Sequence, residues 1–275
     1  MAQCNVCFRH CIIKEGQTGF CGARTCKNAT IVPENYGRVT SLALDPIEKK
    51  PLYRFHPGSN ILSVGSYGCN LRCPFCQNYQ ISMAGIEEVA QQQITPEELT
   101  ALALKLAREP AGNLGVAFTY NEPFISYEFV RDCCVLLHQA GLKTVLVSNG
   151  HINREPLTEL LPLIDAINID LKGFTQDYYD YVGGSLECVK QTIATAFDKC
   201  HVEVTTLVVP TKNDSVEEMA AEAEWLAALS PEVPLHISRY FPRYKSEIPT
   251  TPLETIYRLR DTAQKYLKFV HVGNC

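Results

Sequence analysis

The sequence has no long hydrophobic run, no basic stretch and no repeat, and each absence removes a class of function. No apolar run approaches the roughly 20 residues of a membrane-spanning helix, so a membrane protein is not expected. The start, Met1-Ala2-Gln3-Cys4, has neither the basic nor the apolar region of a secretory leader, and a cytoplasmic protein is expected. The net charge is −5 and no run of lysine and arginine follows a phosphate backbone, which argues against nucleic-acid binding. No internal period and no low-complexity segment marks a solenoid or a linker.

Cysteine is abundant instead. Thirteen of the 275 residues are cysteine, and many of them cluster at metal-ligand spacings rather than spreading as a disulfide framework would. That pattern favours a reducing compartment and bound metal. Apolar residues make up 46% of the chain, enough for a sizeable core.

Two textures divide the chain. Residues 1–55 carry five cysteines and few helical periods, and are expected to form a Cys-rich metal-binding segment. Residues 56–275 alternate strand-like and helix-like runs. Strands are expected at 61–65, 115–119, 144–148, 166–171, 202–209, 234–238 and 269–273. The helix opening Thr95-Pro96-Glu97-Glu98 is a capping box with proline at its first position. Helices are also expected over 123–139, 155–163, 185–199, 216–229 and 253–266. Repeated strand–helix units imply an α/β fold with a parallel sheet, and strands without clean alternation imply that both faces are buried.

The candidate chemistry sits after the expected strands. The first ends near Cys69, Cys73 and Cys76, spaced C-x3-C-x2-C. Three soft thiolates select zinc, Cu(I) or an iron–sulfur cluster, and a closed site needs a fourth ligand. The next cysteine is Cys133. The spacing therefore leaves three readings: a cluster with one open iron, a zinc loop with a distant ligand, or three buried thiols. Later strands end in Tyr120-Asn121-Glu122-Pro123, in Ser148-Asn149-Gly150, in Asp170-Leu171-Lys172, and in the segment beginning His236. At the front, Cys4, Cys7, Cys11 and Cys21 offer four thiolates, enough for a tetrahedral zinc site or an auxiliary cluster. Zinc is the reading slightly favoured by that spacing.

The run from Gly68 to Asn78 resembles the signature of radical S-adenosylmethionine (SAM) enzymes, including the aromatic Phe75 before the last cysteine. The whole chain resembles the radical SAM component of the AmmeMemoRadiSam system, related to pyruvate formate-lyase activating enzymes. The most specific residues for this are Asp45-Pro46-Ile47-Glu48-Lys49-Lys50-Pro51-Leu52-Tyr53-Arg54-Phe55-His56-Pro57-Gly58. The resemblance implies a partial (β/α)6 radical SAM barrel, with a 4Fe–4S cluster on Cys69, Cys73 and Cys76 at its C-terminal mouth. It implies SAM contacts from Phe75, Asn121, Glu122, Ser148, Asn149, Asp170, Lys172 and His236, with Glu122 receiving the methionine ammonium and Lys172 pairing with its carboxylate. It implies cleavage of SAM to a 5′-deoxyadenosyl radical, an electron donor such as flavodoxin or ferredoxin, and AMMECR-like and Memo-like partner proteins. Two competing functions stand beside it: an activase acting on a glycine of a partner protein, and a non-catalytic iron–sulfur or zinc scaffold.

Overall fold

A computed structural model describes residues 1–275. Its centre is one eight-stranded sheet whose spatial order follows the chain. We number these strands β1 (Ser41–Pro46), β2 (Asn60–Gly65), β3 (Gly115–Phe118), β4 (Lys143–Ser148), β5 (Ala166–Asp170), β6 (His201–Val208), β7 (Leu235–Arg239) and β8 (Val270–Gly273). From β2 onward every pairing is parallel. β1 runs antiparallel to β2, from Ser41 opposite Gly65 to Pro46 opposite Asn60. β1 and β8 do not pair, so the barrel stays open between them. The fold is the expected α/β partial barrel, with one strand contributed from the front of the chain.

The helices form where the sequence signals them. Thr95 caps Pro96–Ala107 by accepting from the Glu98 N–H, while Glu98 accepts from the Thr95 N–H at 2.8 Å. The 123–139 segment divides into a tight turn, Pro123–Ser126, and a helix, Tyr127–Gln139. Helix Leu186–Phe197 buries Val189, Ile193 and Ala196 along one stripe against the sheet. Each fully buried Val or Ile contributes roughly 1.5–3 kcal/mol. Helix Gln176–Val182 was not expected. Thr175 caps its start and Gly183, at φ 74°, ends it in the left-handed region. No helix is long and apolar enough to cross a membrane.

The segment after β1 fills the N-terminal end of the barrel. Ile47 and Leu52 are fully buried against Ile61, Ala117, Val145 and Ala166. The Asn168 amide donates to the Pro51 carbonyl at 2.8 Å. Glu203, fully buried, accepts from the Tyr53 and Arg54 N–H groups at 3.0 and 2.7 Å. Asp45 accepts from Lys50 at 2.8 Å, Ser63 at 3.0 Å and Tyr120 at 2.8 Å. Burial works against the Asp45 charge, but those hydrogen bonds hold its pKa well below the usual carboxylate range. The run from Asp45 to Gly58 is thus a floor beneath the barrel, and its charged residues are bound to the strands above it.

Candidate metal and cofactor site at the barrel mouth

Parallel barrels place their sites at strand C-terminal ends, where loops converge. Here those ends surround an open cavity of about 280 Å³, near the lower end of the roughly 300–1,000 Å³ of cofactor pockets. Cys69, Cys73 and Cys76 line it from the β2 loop, Glu122 from β3, Asn149 from β4 and Lys172 from β5. The chain holds no group of three or more Cys, His, Asp or Glu side chains gathered closely enough for a single metal ion. Three thiols spread around a shared cavity suit a cluster, in which each thiolate takes a different iron. The Leu71 N–H and the Asn149 amide donate to Cys69 Sγ at 3.4 and 3.6 Å. Donors aimed at a ligating sulfur stabilise its thiolate form.

The Radical SAM superfamily description matches residues 63–223. The chain belongs to the radical SAM superfamily. It is 41% identical, over 276 residues, to the uncharacterized protein MJ0808 of Methanocaldococcus jannaschii, covering 99% of this chain and 81% of that one. It is 28% identical over 157 residues to the pyruvate formate-lyase-activating enzyme of Clostridium pasteurianum, covering 55% of this chain and 63% of that enzyme. Among solved structures, Streptococcus suis SuiB bound to S-adenosylmethionine matches with a TM-score of 0.60 at 14% identity, over 76% of this chain and 48% of that one. Escherichia coli QueE matches at 0.54 and 14% identity, over 86% and 92%. These two structural likenesses carry the fold alone.

Within this radical SAM chain, seven of the eight residues expected to contact SAM line the mouth. Phe75 sits there almost fully buried, its ring 6.1 Å from Tyr240 and edge-on to it. Glu122 Oε1 accepts from Ser148 Oγ at 2.8 Å and from the Phe124 N–H at 3.0 Å, and Oε2 accepts from the Asn149 N–H at 2.8 Å. A carboxylate offers about four lone-pair sites, so one direction on Oε2 is left. Burial raises the Glu122 pKa to about 7 against those three donors. Lys172 lies 3.0 Å from Asp170. Burial disfavours its charge, but Asp170 and Cys73 keep its pKa well above the ordinary lysine value. Burial pushes the Cys73 thiol up to about 11, with Lys172 pulling the other way.

Asn121 reaches the cavity but its side chain is already engaged. It accepts from the Ser66 N–H at 3.0 Å and donates to the Tyr67 and Gly68 carbonyls at 3.1 and 3.2 Å. It therefore fixes the loop that carries Cys69.

His236 is not brought to the cavity, which corrects the expectation that it contacts SAM. It is buried in the floor, 2.6 Å from Glu203, with its ring beside those of Tyr53 and His271. The reason is register. His236 and Ser238 face the same side of β7, and the two-residue step of about 7 Å puts only Ser238 at the mouth. Thr205, Leu207, Ser238 and Asn274 also line the cavity, and sequence reasoning missed them. Thr205, Leu207 and Ser238 stand in phase with Asp170 across β5, β6 and β7, and Asn274 follows the end of β8.

The front cysteines converge separately. Cys4, Cys7, Cys11 and Cys21 share one small cavity with Arg9, Arg24 and Asn70. Cys26 stands outside it, its thiol 3.6 Å from Glu15.

Proposed function

We propose that this chain is a radical SAM enzyme of the AmmeMemoRadiSam type, cleaving SAM reductively so that a hydrogen atom can be taken from a substrate. The observation that carries the reading is the convergence of Cys69, Cys73 and Cys76 with Asn149 and Lys172 on one cavity at the strand ends. The donor set fits a 4Fe–4S cluster: three soft thiolates, no fourth, and N–H groups aimed at Cys69 Sγ. When bound, the cluster and SAM supply one-electron cleavage of a sulfonium bond to give a 5′-deoxyadenosyl radical.

The chain's own residues bind, orient and exclude. Cys69, Cys73 and Cys76 hold the metal. Lys172, kept charged by Asp170, offers a cation to the methionine carboxylate. Glu122 clamps Ser148 and Asn149 to β3 and keeps one lone pair for an ammonium. The Phe75 ring walls the cavity beside the last cysteine. No side chain is needed as a general acid or base to start the reaction. The motif from Asp45 to Gly58 supports the AmmeMemoRadiSam assignment, and with it partners of AMMECR-like and Memo-like type and a flavodoxin or ferredoxin donor.

A second reading is an activase that takes its hydrogen from a partner protein's glycine. The similarity to the Clostridium pasteurianum activating enzyme favours it. Both readings differ from a scaffold in requiring SAM at the metal. Electron paramagnetic resonance (EPR) of the anaerobic, reduced protein tests this. A 4Fe–4S signal that changes shape when SAM is added supports the enzyme readings, and a signal indifferent to SAM contradicts them.

A further inference from the structure

The front segment holds a second cavity with unexplained chemistry. Cys4, Cys7, Cys11 and Cys21 line it, and Cys4, Cys7 and Cys21 are buried. The Cys4 N–H donates to the Cys11 carbonyl at 2.9 Å, folding the first three thiols onto one side. The local apolar core is only Cys4, Val6, Ile13 and Cys26. A segment with so little core gains its order from a bound group.

Two features decide which group. A tetrahedral zinc site needs all four sulfurs at about 2.3 Å from one ion, hence roughly 4 Å from each other. No three of these thiols gather that closely. They line one small, partly enclosed cavity, as the three mouth thiols line theirs. The second feature is Arg24, 4% exposed and lining the cavity. Two of its nitrogens are satisfied by Glu128 and the Ile125 carbonyl, but its Nε–H is buried without a partner. A buried orphan donor on a cation calls for an anionic acceptor. Thiolate and sulfide sulfurs are such acceptors, so Arg24 points to a bound metal–sulfur centre, and the spacing of the thiols selects the cluster.

We propose that Cys4, Cys7, Cys11 and Cys21 bind an auxiliary iron–sulfur cluster with Arg24 donating to one of its sulfurs. Hydrogen bonds join the site to the mouth: Arg9 Nε donates to the Asn70 carbonyl at 2.7 Å, and the Cys69 N–H donates to the Cys21 carbonyl at 3.1 Å. Gly68 permits that contact: its φ is 86°, and a Cβ there would stand 2.5 Å from the Cys21 oxygen. Asn70 belongs to both places, lining the front cavity while its Oδ1 accepts from Asn149 of the mouth at 2.9 Å. Reduction of the auxiliary site takes one electron from a donor of the low-potential flavodoxin or ferredoxin class. No bond forms or breaks and no proton moves. Its use as an electron store beside the mouth rests on the function proposed above, whereas its occupancy does not.

The test is metal, sulfide and EPR analysis of the full chain, purified anaerobically, as wild type and as the triple variant Cys69→Ser, Cys73→Ser, Cys76→Ser. The expected wild-type content is about eight iron and eight sulfide per chain, and the triple variant keeps about four of each, with a reduced signal that SAM does not alter. Adding Cys11→Ser to the triple variant should lower that iron. In the wild type, the two reduced clusters should broaden each other's signals. Zinc without iron in the triple variant, or no metal at all in a soluble triple variant, would overturn the proposal. If the triple variant is insoluble, the wild-type count decides, and about four iron per chain overturns it. Iron that resides only at the front, with no response to SAM in the wild type, would instead contradict the mouth assignment and leave the auxiliary site standing.

Discussion

Lys50 Nζ lies 2.8 Å from Asp45 Oδ2, with the lysine side chain 2% exposed. The pair sits in the barrel floor, and Tyr120 carries it upward. The Tyr120 hydroxyl donates to Asp45, while its carbonyl accepts from Asn78, two residues past Cys76. Tyr120 spans this distance at φ 72°, in the left-handed region. Floor and cysteine loop are therefore mechanically joined.

Removing Lys50 leaves the Asp45 charge with only the exposed Lys49, 3.3 Å away, as a cationic partner. We expect Lys50→Met to cost about 3–5 kcal/mol of unfolding free energy. The double variant Lys50→Met, Asp45→Asn should recover most of that loss. Denaturant unfolding of the two variants measures it, and equal stability of the single and double variants would contradict a buried ion pair.

At the mouth, Lys172→Ala should weaken SAM binding while leaving cluster content unchanged. Losing a charge-assisted hydrogen bond costs roughly 1.5–3 kcal/mol, or about ten- to a hundredfold in affinity. Glu122→Ala should also weaken it, and should in addition lower stability, because the buried Asn149 and Phe124 N–H groups lose their acceptor. Equilibrium binding of SAM to the reconstituted protein reads both. Unchanged affinity in both variants would reduce these residues to loop scaffolding.

Much of this was legible in the sequence because the strands are uninterrupted apolar runs and the helices carry explicit caps. All seven expected parallel strands exist to within a residue or two. The site was legible because the polar motifs stand immediately after those runs. The rest depended on tertiary contacts. β1 escaped notice because Leu42-Ala43-Leu44 is short and only its pairing with β2 makes it a strand. Helix Gln176–Val182 escaped because Gln-Asp-Tyr-Tyr-Asp-Tyr-Val is short and its buried stripe, Tyr178, Tyr179 and Val182, is mostly tyrosine. His236 was misplaced because the sequence does not reveal how deep along a strand the mouth begins. The Asp45–Gly58 run was legible as a family mark but not as a floor.

Glu203 makes the fold sensitive to acid. Burial would raise its pKa, but hydrogen bonds from His201, His236, Arg54 and Tyr53 lower it to about 2. A carboxylate depressed in the folded state adds stability above its unfolded pKa, near 4.5, and loses it as pH falls through the folded value. The contribution is on the order of 3 kcal/mol. Stability should therefore fall between about pH 4.5 and 2, and Glu203→Gln should flatten that part of the curve. A wild-type and variant stability profile of identical slope in this window would contradict the assignment.

The most direct test of the central claim is product analysis of SAM cleavage. Reduced, anaerobic wild-type protein incubated with SAM should form 5′-deoxyadenosine and methionine. The folded variant carrying Cys69→Ser, Cys73→Ser and Cys76→Ser should form neither. Equal product from both proteins, or none from a wild type shown to hold its mouth cluster, would contradict the account.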